Sequence, residues 1–289
     1  MKHEGPTPGM TIAGVDSRYL EAISGAGPGS GRVRSLHGGT GPPVVLLHTV
    51  RTQAEHFHRL IPLLLADHSV FALDLPGMGH SDIVPGASYE EPAMRSAVTG
   101  LLEKLDLQNV TLIGESMGAV LALTAAVAVP DRVRRVIAVN AYDYPGGIAR
   151  SSALARVVVS GILAPGVGPM IARVEPRPVL RAILRGGLVE KSCLTGEYLD
   201  ELHGVGRRPG YPVVARAVYA NLPSLVAARR LYPQLAVPVD LVYGEDDWSR
   251  VSDRENNRRL LPDATFTQVP GAGHFLTLEK PEVVAALVR

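Results

Sequence analysis

The 289-residue sequence predicts an α/β fold: a doubly wound, mostly parallel sheet with helices on both faces. Three observations lead there. Short apolar runs recur with almost no polar positions, as strands covered on both faces require. Segments of helical apolar spacing separate these runs, which is the βα rhythm of a parallel sheet. The rhythm stops after residue 144 and resumes at residue 237, so a block of different character is inserted into the sheet rather than appended to it.

Taken in order, residues 1–16 read as a loose N-terminal segment. Residues 19–24 and 32–36 read as an antiparallel hairpin, with residues 25–31 as its loop. Residues 44–48 (Val-Val-Leu-Leu-His) form a buried strand after Gly41-Pro42-Pro43. Residues 53–66 place Phe57, Leu60, Ile61 and Leu64 on one helical face, with Pro62 putting a turn or kink inside. Residues 69–74 are the next strand, 90–105 a helix, 109–114 a strand and 117–129 a helix that stops before Pro130. Residues 133–140 are a strand, after which the rhythm breaks. It resumes with a strand at 237–243, a helix at 253–260, a strand at 265–269 and a helix at 281–289, giving eight strands in all. The expected organisation is a core of residues 17–144 and 232–289 and an inserted helical cap or lid at 145–231. An insertion at the carboxyl end of a strand lies where such sheets bind ligands.

Composition narrows the function. Hydrophobic residues make up 46% and charged residues 20%, enough apolar material for a sizeable core. Lys plus Arg is 29 against 28 for Asp plus Glu, without the basic excess of a nucleic-acid binder. The single cysteine, Cys193, excludes an intrachain disulfide and a Cys-based zinc site. No apolar run follows Lys2 as in a secretory signal, and none reaches the roughly 18 to 20 residues that span a bilayer. The expectation is a cytoplasmic protein acting on a small molecule, with no nucleic-acid partner and no stable membrane insertion. No metal and no organic cofactor is expected, and the oligomeric state stays open. The inserted block is rich in arginine. Such a block either steers an anionic substrate or is an ordinary solvated face.

Chemistry concentrates at three places. Gly114-Glu115-Ser116-Met117-Gly118 joins a strand to a helix. A serine on that turn adopts a strained backbone, so its neighbours two positions away must be small, as Gly114 and Gly118 are. A helix N-cap serine is the alternative reading. A serine nucleophile needs a base oriented by a third group. Gly244-Glu245-Asp246-Asp247 places carboxylates just past a strand, and Gly271-Ala272-Gly273-His274 places a histidine past the last one. His56 and His58, two apart on a helix, face different directions and make no metal pair.

These motifs, together with Leu46-Leu47-His48 and Asp74-Leu75-Pro76-Gly77-Met78-Gly79-His80-Ser81, resemble the α/β-hydrolase superfamily in its lid-bearing, esterase-like branch. The resemblance runs from about residue 32 to the end. It implies a Ser116–His274–Asp247 triad, with Asp246 and Asp143 as alternative acids. It also implies an oxyanion hole from the backbone N–H groups of Met117 and Val50. The implied activity is hydrolysis of a partly hydrophobic carboxylic ester through an acyl-enzyme. A lyase, a C–C hydrolase or a cyclase on the same triad is the alternative, and a non-catalytic ligand-binding member of the fold the more remote one. Thr49 stands where the family usually has glycine. His48-Thr49-Val50 is similar to plant hydroxynitrile lyases, whose threonine contacts substrate, while a threonine capping its own loop is the other reading. Those lyases carry a lysine where this chain has Phe275. Thr49 and Phe275 are therefore the candidate substrate contacts.

Overall fold

The computed structural model describes residues 10–21 and 31–289. Eight strands make one sheet: β1 (Val15–Leu20), β2 (Val33–Gly38), β3 (Pro43–Leu47), β4 (Ser69–Leu73), β5 (Val110–Glu115), β6 (Val133–Val139), β7 (Val239–Gly244) and β8 (Thr265–Val269). Their order is β1-β2-β4-β3-β5-β6-β7-β8. β1 and β2 are antiparallel, as are β2 and β4, and the remaining pairs are parallel. The winding direction reverses between β3 and β5. The crevice beyond the carboxyl ends of those two strands is where a doubly wound sheet binds ligands.

Successive side chains of the central strands point to opposite faces and enter two separate cores. Val45, Leu47, Leu112 and Leu241 join one, and Val44, Leu46, Ile113 and Val242 the other. α1 (Ile61–Leu64) covers the second face, and α2 (Glu91–Lys104) and α3 (Met117–Ala128) the first. α3 is apolar all round because it lies between the sheet and further helices.

Between β6 and β7 the chain forms α4 (Gly147–Ser151), α5 (Ala153–Leu163), α6 (Gly168–Arg173), α7 (Arg177–Arg185), α8 (Gly196–Gly206) and α9 (Tyr211–Ala228), and no strand. α10 (Val251–Leu260), α11 (Leu276–Glu279) and α12 (Pro281–Val288) complete the chain. α9 packs on α2 and α3, and Val214, Val218 and Leu222 enter the first core beside Val50 and Met117. A third core joins Leu180, Leu184, Tyr198 and Leu202 of the insertion to Phe275 and Leu278. Several of the insertion's arginines clamp it to the sheet domain. Arg150 pairs with Asp253 at 2.6 Å, and Arg208 donates to the carbonyls of Gly79 and Ser81. No helix among the described residues is long and apolar enough to cross a membrane.

Three local expectations are corrected. Residues 53–66, expected as a helical stretch with a turn or kink at Pro62, are a 3-10 turn at Ala54–Phe57 followed by the single turn α1. Pro62 sits in the first turn of α1, where its missing N–H leaves no bond unmade, so the helix begins one residue before the proline instead of running through it from residue 53. The first hairpin strand lies at Val15–Leu20 rather than 19–24, and Ala22 to Ser24 fall outside the described residues, as do residues 25–30 of its loop. Val15 and Asp16 therefore belong to the sheet rather than to a loose segment; residues 1–9 of that segment are outside the described residues.

Two glycines provide opposite tests of the packing. A Cβ on Gly118 would strike the backbone carbonyls of Leu47 and His48, whereas one on exposed Gly204 in α8 would meet nothing. Gly118→Ala should lower the unfolding free energy by about 1 to 3 kcal/mol or more, since backbone cannot yield as a side chain does. Gly204→Ala should raise it by about 0.5 to 1 kcal/mol. Denaturant titration of both variants measures the difference.

Candidate active site

Ser116 sits at φ +60°, in a region that side-chain-bearing residues rarely enter. The turn persists because its backbone groups are satisfied on both sides. The Ser116 N–H donates to Val139 at 2.8 Å, and the Ser116 carbonyl accepts from Ala119 and Tyr142, each at 3.1 Å. Gly114 and Gly118 lie so close that a Cβ on Gly114 would strike the Gly118 carbonyl. The Ser116 side chain makes no N-cap bond to α3, so it is free for another partner.

That partner is His274. Ser116 Oγ lies 2.9 Å from His274 Nε2, and His274 Nδ1 lies 2.5 Å from Asp247 Oδ1. Burial works to raise the Asp247 pKa, but the adjacent His274 ring bonded to it, with N–H donation from Ser249, holds it below the usual carboxylate value. An ionised carboxylate only accepts, so Nδ1 carries the proton and Nε2 is left to accept from Ser116. The three residues come from the ends of β5, β7 and β8, and Asn140 ties the last two together. It occupies the left-handed region at φ +47°, where asparagine is tolerated. Its amide donates to the carbonyls of Gly273 (3.0 Å) and His274 (2.9 Å), and its oxygen accepts from Gly244 N–H at 2.9 Å.

The competing carboxylates are elsewhere. Asp246 is exposed. Asp143 is buried away from His274, accepting from Tyr232 Oη at 2.9 Å and Asn257 Nδ2 at 2.8 Å, with its other oxygen unpartnered. Burial pushes its pKa up to about 6.

The loop after β3 supplies the other side of the site. His48 is fully buried and its pKa falls to about 4 through burial, so its ring is neutral. Nδ1–H donates to Thr49 O at 2.8 Å, and Nε2 accepts from Leu75 N–H at 3.0 Å. The hydroxyl of Thr52, not that of Thr49, closes this loop, donating to Thr49 O at 3.0 Å. Thr49 is buried, and its hydroxyl has no hydrogen-bond partner among the described residues. Neither the Val50 nor the Met117 N–H has one either. Collision of a Gly118 Cβ with the Leu47 and His48 carbonyls shows how tightly this loop's stem abuts the Ser116 turn.

Besides Phe275, several participants carry no local signal in the sequence. Trp248 stacks on the His274 ring, centroids 3.7 Å apart and planes 11° from parallel, while Phe275 meets the same ring edge-on at 5.4 Å. Phe275 is buried against Gly187 and the apolar side chains of α7 and α8, so much of its ring packs against the insertion. Glu115, directly before Ser116, accepts from the N–H and hydroxyl of Thr277, both at 2.9 Å, and from His56 Nε2. His56 Nδ1 lies 2.9 Å from the hydroxyl of Tyr198 in α8. A fully buried acid thus links the Ser116 turn, the His274 loop and the insertion. Buried polar chains are assembled by contacts distant in sequence, and the only advance sign was an acid inside an otherwise apolar elbow.

The two buried aspartates should separate cleanly. Asp247→Asn loses the acceptor that fixes the His274 tautomer and should lower kcat by about 10⁴-fold. Asp143→Asn should leave kcat within about threefold. The folded pKa of Asp143 lies above its ordinary 3.8. Its protonated form therefore favours folding, a contribution fully present below about pH 4 and lost as pH rises through about 6. The Tm of Asp143→Asn relative to the parent should accordingly rise between about pH 4 and pH 7.

Comparison with known proteins agrees with this architecture. A profile of the Alpha/beta hydrolase family matches residues 36–287. The chain is 26% identical over 251 residues to the uncharacterised hydrolase YugF of Bacillus subtilis (strain 168), covering 84% of this chain and 86% of that one. It is 25% identical over 308 residues to haloalkane dehalogenase 2 of Mycobacterium tuberculosis (strain ATCC 25618 / H37Rv), covering 98% and 96%. The crystal structure of wild-type Cfl2 from Burkholderia cenocepacia superposes with a TM-score of 0.80 at 22% identity, over 96% of each chain, a likeness of fold. With a matching profile along most of its length and an eight-stranded, mostly parallel sheet, the chain belongs to the α/β-hydrolase family.

Proposed function

We propose that the protein is a serine hydrolase that cleaves carboxylic esters by acyl transfer. The observation that carries this reading is the unbroken relay from Ser116 Oγ through His274 to the ionised Asp247, at 2.9 and 2.5 Å. Ser116 Oγ attacks the ester carbonyl as His274 Nε2 takes its proton. The N–H groups of Val50 and Met117 donate to the oxyanion that forms, without prior partners to give up. His274 returns the proton to the leaving alkoxide, which departs as the alcohol. Water, deprotonated by His274, then attacks the acyl-enzyme carbonyl, and the acid leaves with Ser116 regenerated. Asp247 remains ionised throughout, holding the ring and balancing its charge. Trp248 covers one face of the ring and Phe275 abuts it edge-on. Residues 145–231 act as a cap: α9 packs on α2 and α3, and Val214 and Val218 join Val50 and Met117 in one core.

The nucleophile also argues against the activity named for the dehalogenase relative. A serine that displaced halide from carbon, or opened an epoxide, would be left as an ether. An ether has no carbonyl for water to attack, so the enzyme would not turn over. An acyl group on Ser116 is an ester and is hydrolysed by the chemistry that formed it.

A second reading keeps the relay and changes the reaction to cyanohydrin cleavage. It draws on Thr49, whose hydroxyl has no partner in its own loop. Phe275, standing after His274 where those lyases carry lysine, argues for hydrolysis.

The parent should release nitrophenol from p-nitrophenyl esters and take up a fluorophosphonate probe on Ser116. Ser116→Ala should abolish labelling and lower turnover by about 10⁴- to 10⁶-fold. Retention of more than a few per cent of the activity would sink the mechanism.

For Thr49, the β-branched Thr49→Val keeps the shape and removes the hydroxyl. If that hydroxyl binds substrate, kcat/KM for esters falls by about 5- to 150-fold, the equivalent of about 1 to 3 kcal/mol for a partner left unpaired. Cyanide release from a cyanohydrin, lost in both Thr49→Val and Ser116→Ala, would replace ester hydrolysis by the lyase reading.

A further inference from the structure

Among the inserted helices, bounded on one side by Arg51, lies a cavity of about 480 Å³ that the relay itself does not touch. Its walls are almost wholly apolar: Val158 and Ile162 of α5, Ile171 of α6, and Val179 and Ile183 of α7 face it. At its rim Met170 and Val174 are 68% and 69% exposed, an unusual position for large apolar side chains. Its charged lining consists of Arg51 and Glu175, and these are paired with each other. A cavity of this size and lining is suited to an uncharged apolar group.

Arg51 connects this cavity to the chemistry. It directly follows Val50, and it holds a left-handed backbone at φ +63°, which a non-glycine residue keeps only when its surroundings impose it. The surroundings here belong to the insertion. The Arg51 guanidinium makes a two-pronged bond to Glu175, donates to Leu202 O at 3.3 Å and lies 5.0 Å above the Tyr211 ring. A narrow second void of about 10 Å³ continues from this point to Val50 and Met78. Arg51, Tyr211, Ala215 and Tyr219 line both spaces. The two voids are therefore neighbours on either side of one partition, which Arg51, Ala215 and the two tyrosines form.

We propose that the large cavity is the binding site for the apolar portion of the substrate, a medium-length uncharged acyl or alkyl group, and that Arg51, Tyr211, Ala215 and Tyr219 form the constriction that admits it. This rests on the ester-hydrolase reading. With the reacting carbonyl between Ser116 and Val50, a group extending past Val50 meets the constriction and then the cavity. The pinch is too narrow for a methylene chain, so a long substrate displaces side chains there, whereas an acetyl group does not need to reach it. A charged tail is disfavoured because the one cation facing it is already neutralised by Glu175.

The test uses full-length protein and p-nitrophenyl acetate, butyrate, octanoate and dodecanoate. The parent should prefer octanoate to acetate in kcat/KM. Ala215→Trp blocks the constriction and Ala172→Trp, on the cavity wall in α6, reduces its volume. Each should lower kcat/KM for octanoate by about tenfold or more, with acetate within about twofold of the parent. Binding gives a readout without turnover: octanol should bind Ser116→Ala and fail to bind Ser116→Ala/Ala215→Trp. Parallel losses on acetate and octanoate, no preference for octanoate in the parent, or octanol binding indifferent to Ala215→Trp would overturn the assignment. If no ester of the series is turned over, the hydrolase reading fails instead, and octanol binding still decides the cavity.

Discussion

The close approach of the Ser116 turn to the end of β3 is the constraint on which the rest of the site depends. Gly118 meets the Leu47 and His48 carbonyls with no room for a Cβ, and Gly114 meets Gly118 in the same way. That contact fixes where a strained serine can be held at φ +60°. It also sets the loop of Thr49 and Val50 against the start of α3, so the two proposed oxyanion donors come from neighbouring strands on either side of the winding reversal. Electrostatic stabilisation of this kind works because the donors are aimed before charge develops. Here the aiming is done by backbone packing, which cannot relax as a side chain can.

The second half of the site is held by a different device. The Asp247 and His274 loops are brought together by Asn140, whose side chain accepts from Gly244 and donates to the carbonyls of Gly273 and His274. Gly244 has no space for a Cβ because the Ala272 and Gly273 carbonyls press on it. The glycines of the two motifs thus permit one loop to lie on the other, and one buried amide satisfies the polar groups so exposed. Glu115 performs a similar service across the serine turn, reaching Thr277 and His56. Such buried networks are stable only when fully satisfied, and this one leaves the His274 loop little freedom.

The arginine-rich insertion takes on a structural meaning that its composition did not specify. Arg150, Arg208 and Arg229 bond to groups of the sheet domain, while Arg51 reaches from the sheet domain to Glu175 in the insertion. These contacts cross the boundary between the two parts, so the cationic excess serves attachment as well as solvation. The apolar side chains of the insertion divide between the cores beneath it and the walls of the cavity inside it.

The sequence by itself determined the sheet and the position of most of its elements, though not of the first strand, because near-continuous apolar strands and 3.6-residue periodicity are local signals of burial. It also determined the serine turn, since only small residues at 114 and 118 fit that backbone. For the acid it pointed to Asp247 with Asp246 and Asp143 as alternatives, and only the tertiary structure decided which one touches His274, because all three lie just past strands and differ in what surrounds them. Over residues 53–66 the sequence carries an interruption at Pro62, but not the division into a 3-10 turn and a separate helical turn, because one buried face gives similar apolar spacing in both. Asn140, Trp248, Glu115 with His56, and the Arg51–Glu175 pair were invisible for a common reason. Each acts through a partner distant in the chain, 124 residues away for Arg51 and Glu175, and no local pattern reports such a contact. The interior of the insertion is the extreme case, since its helices bury their faces against one another in an arrangement that only packing selects.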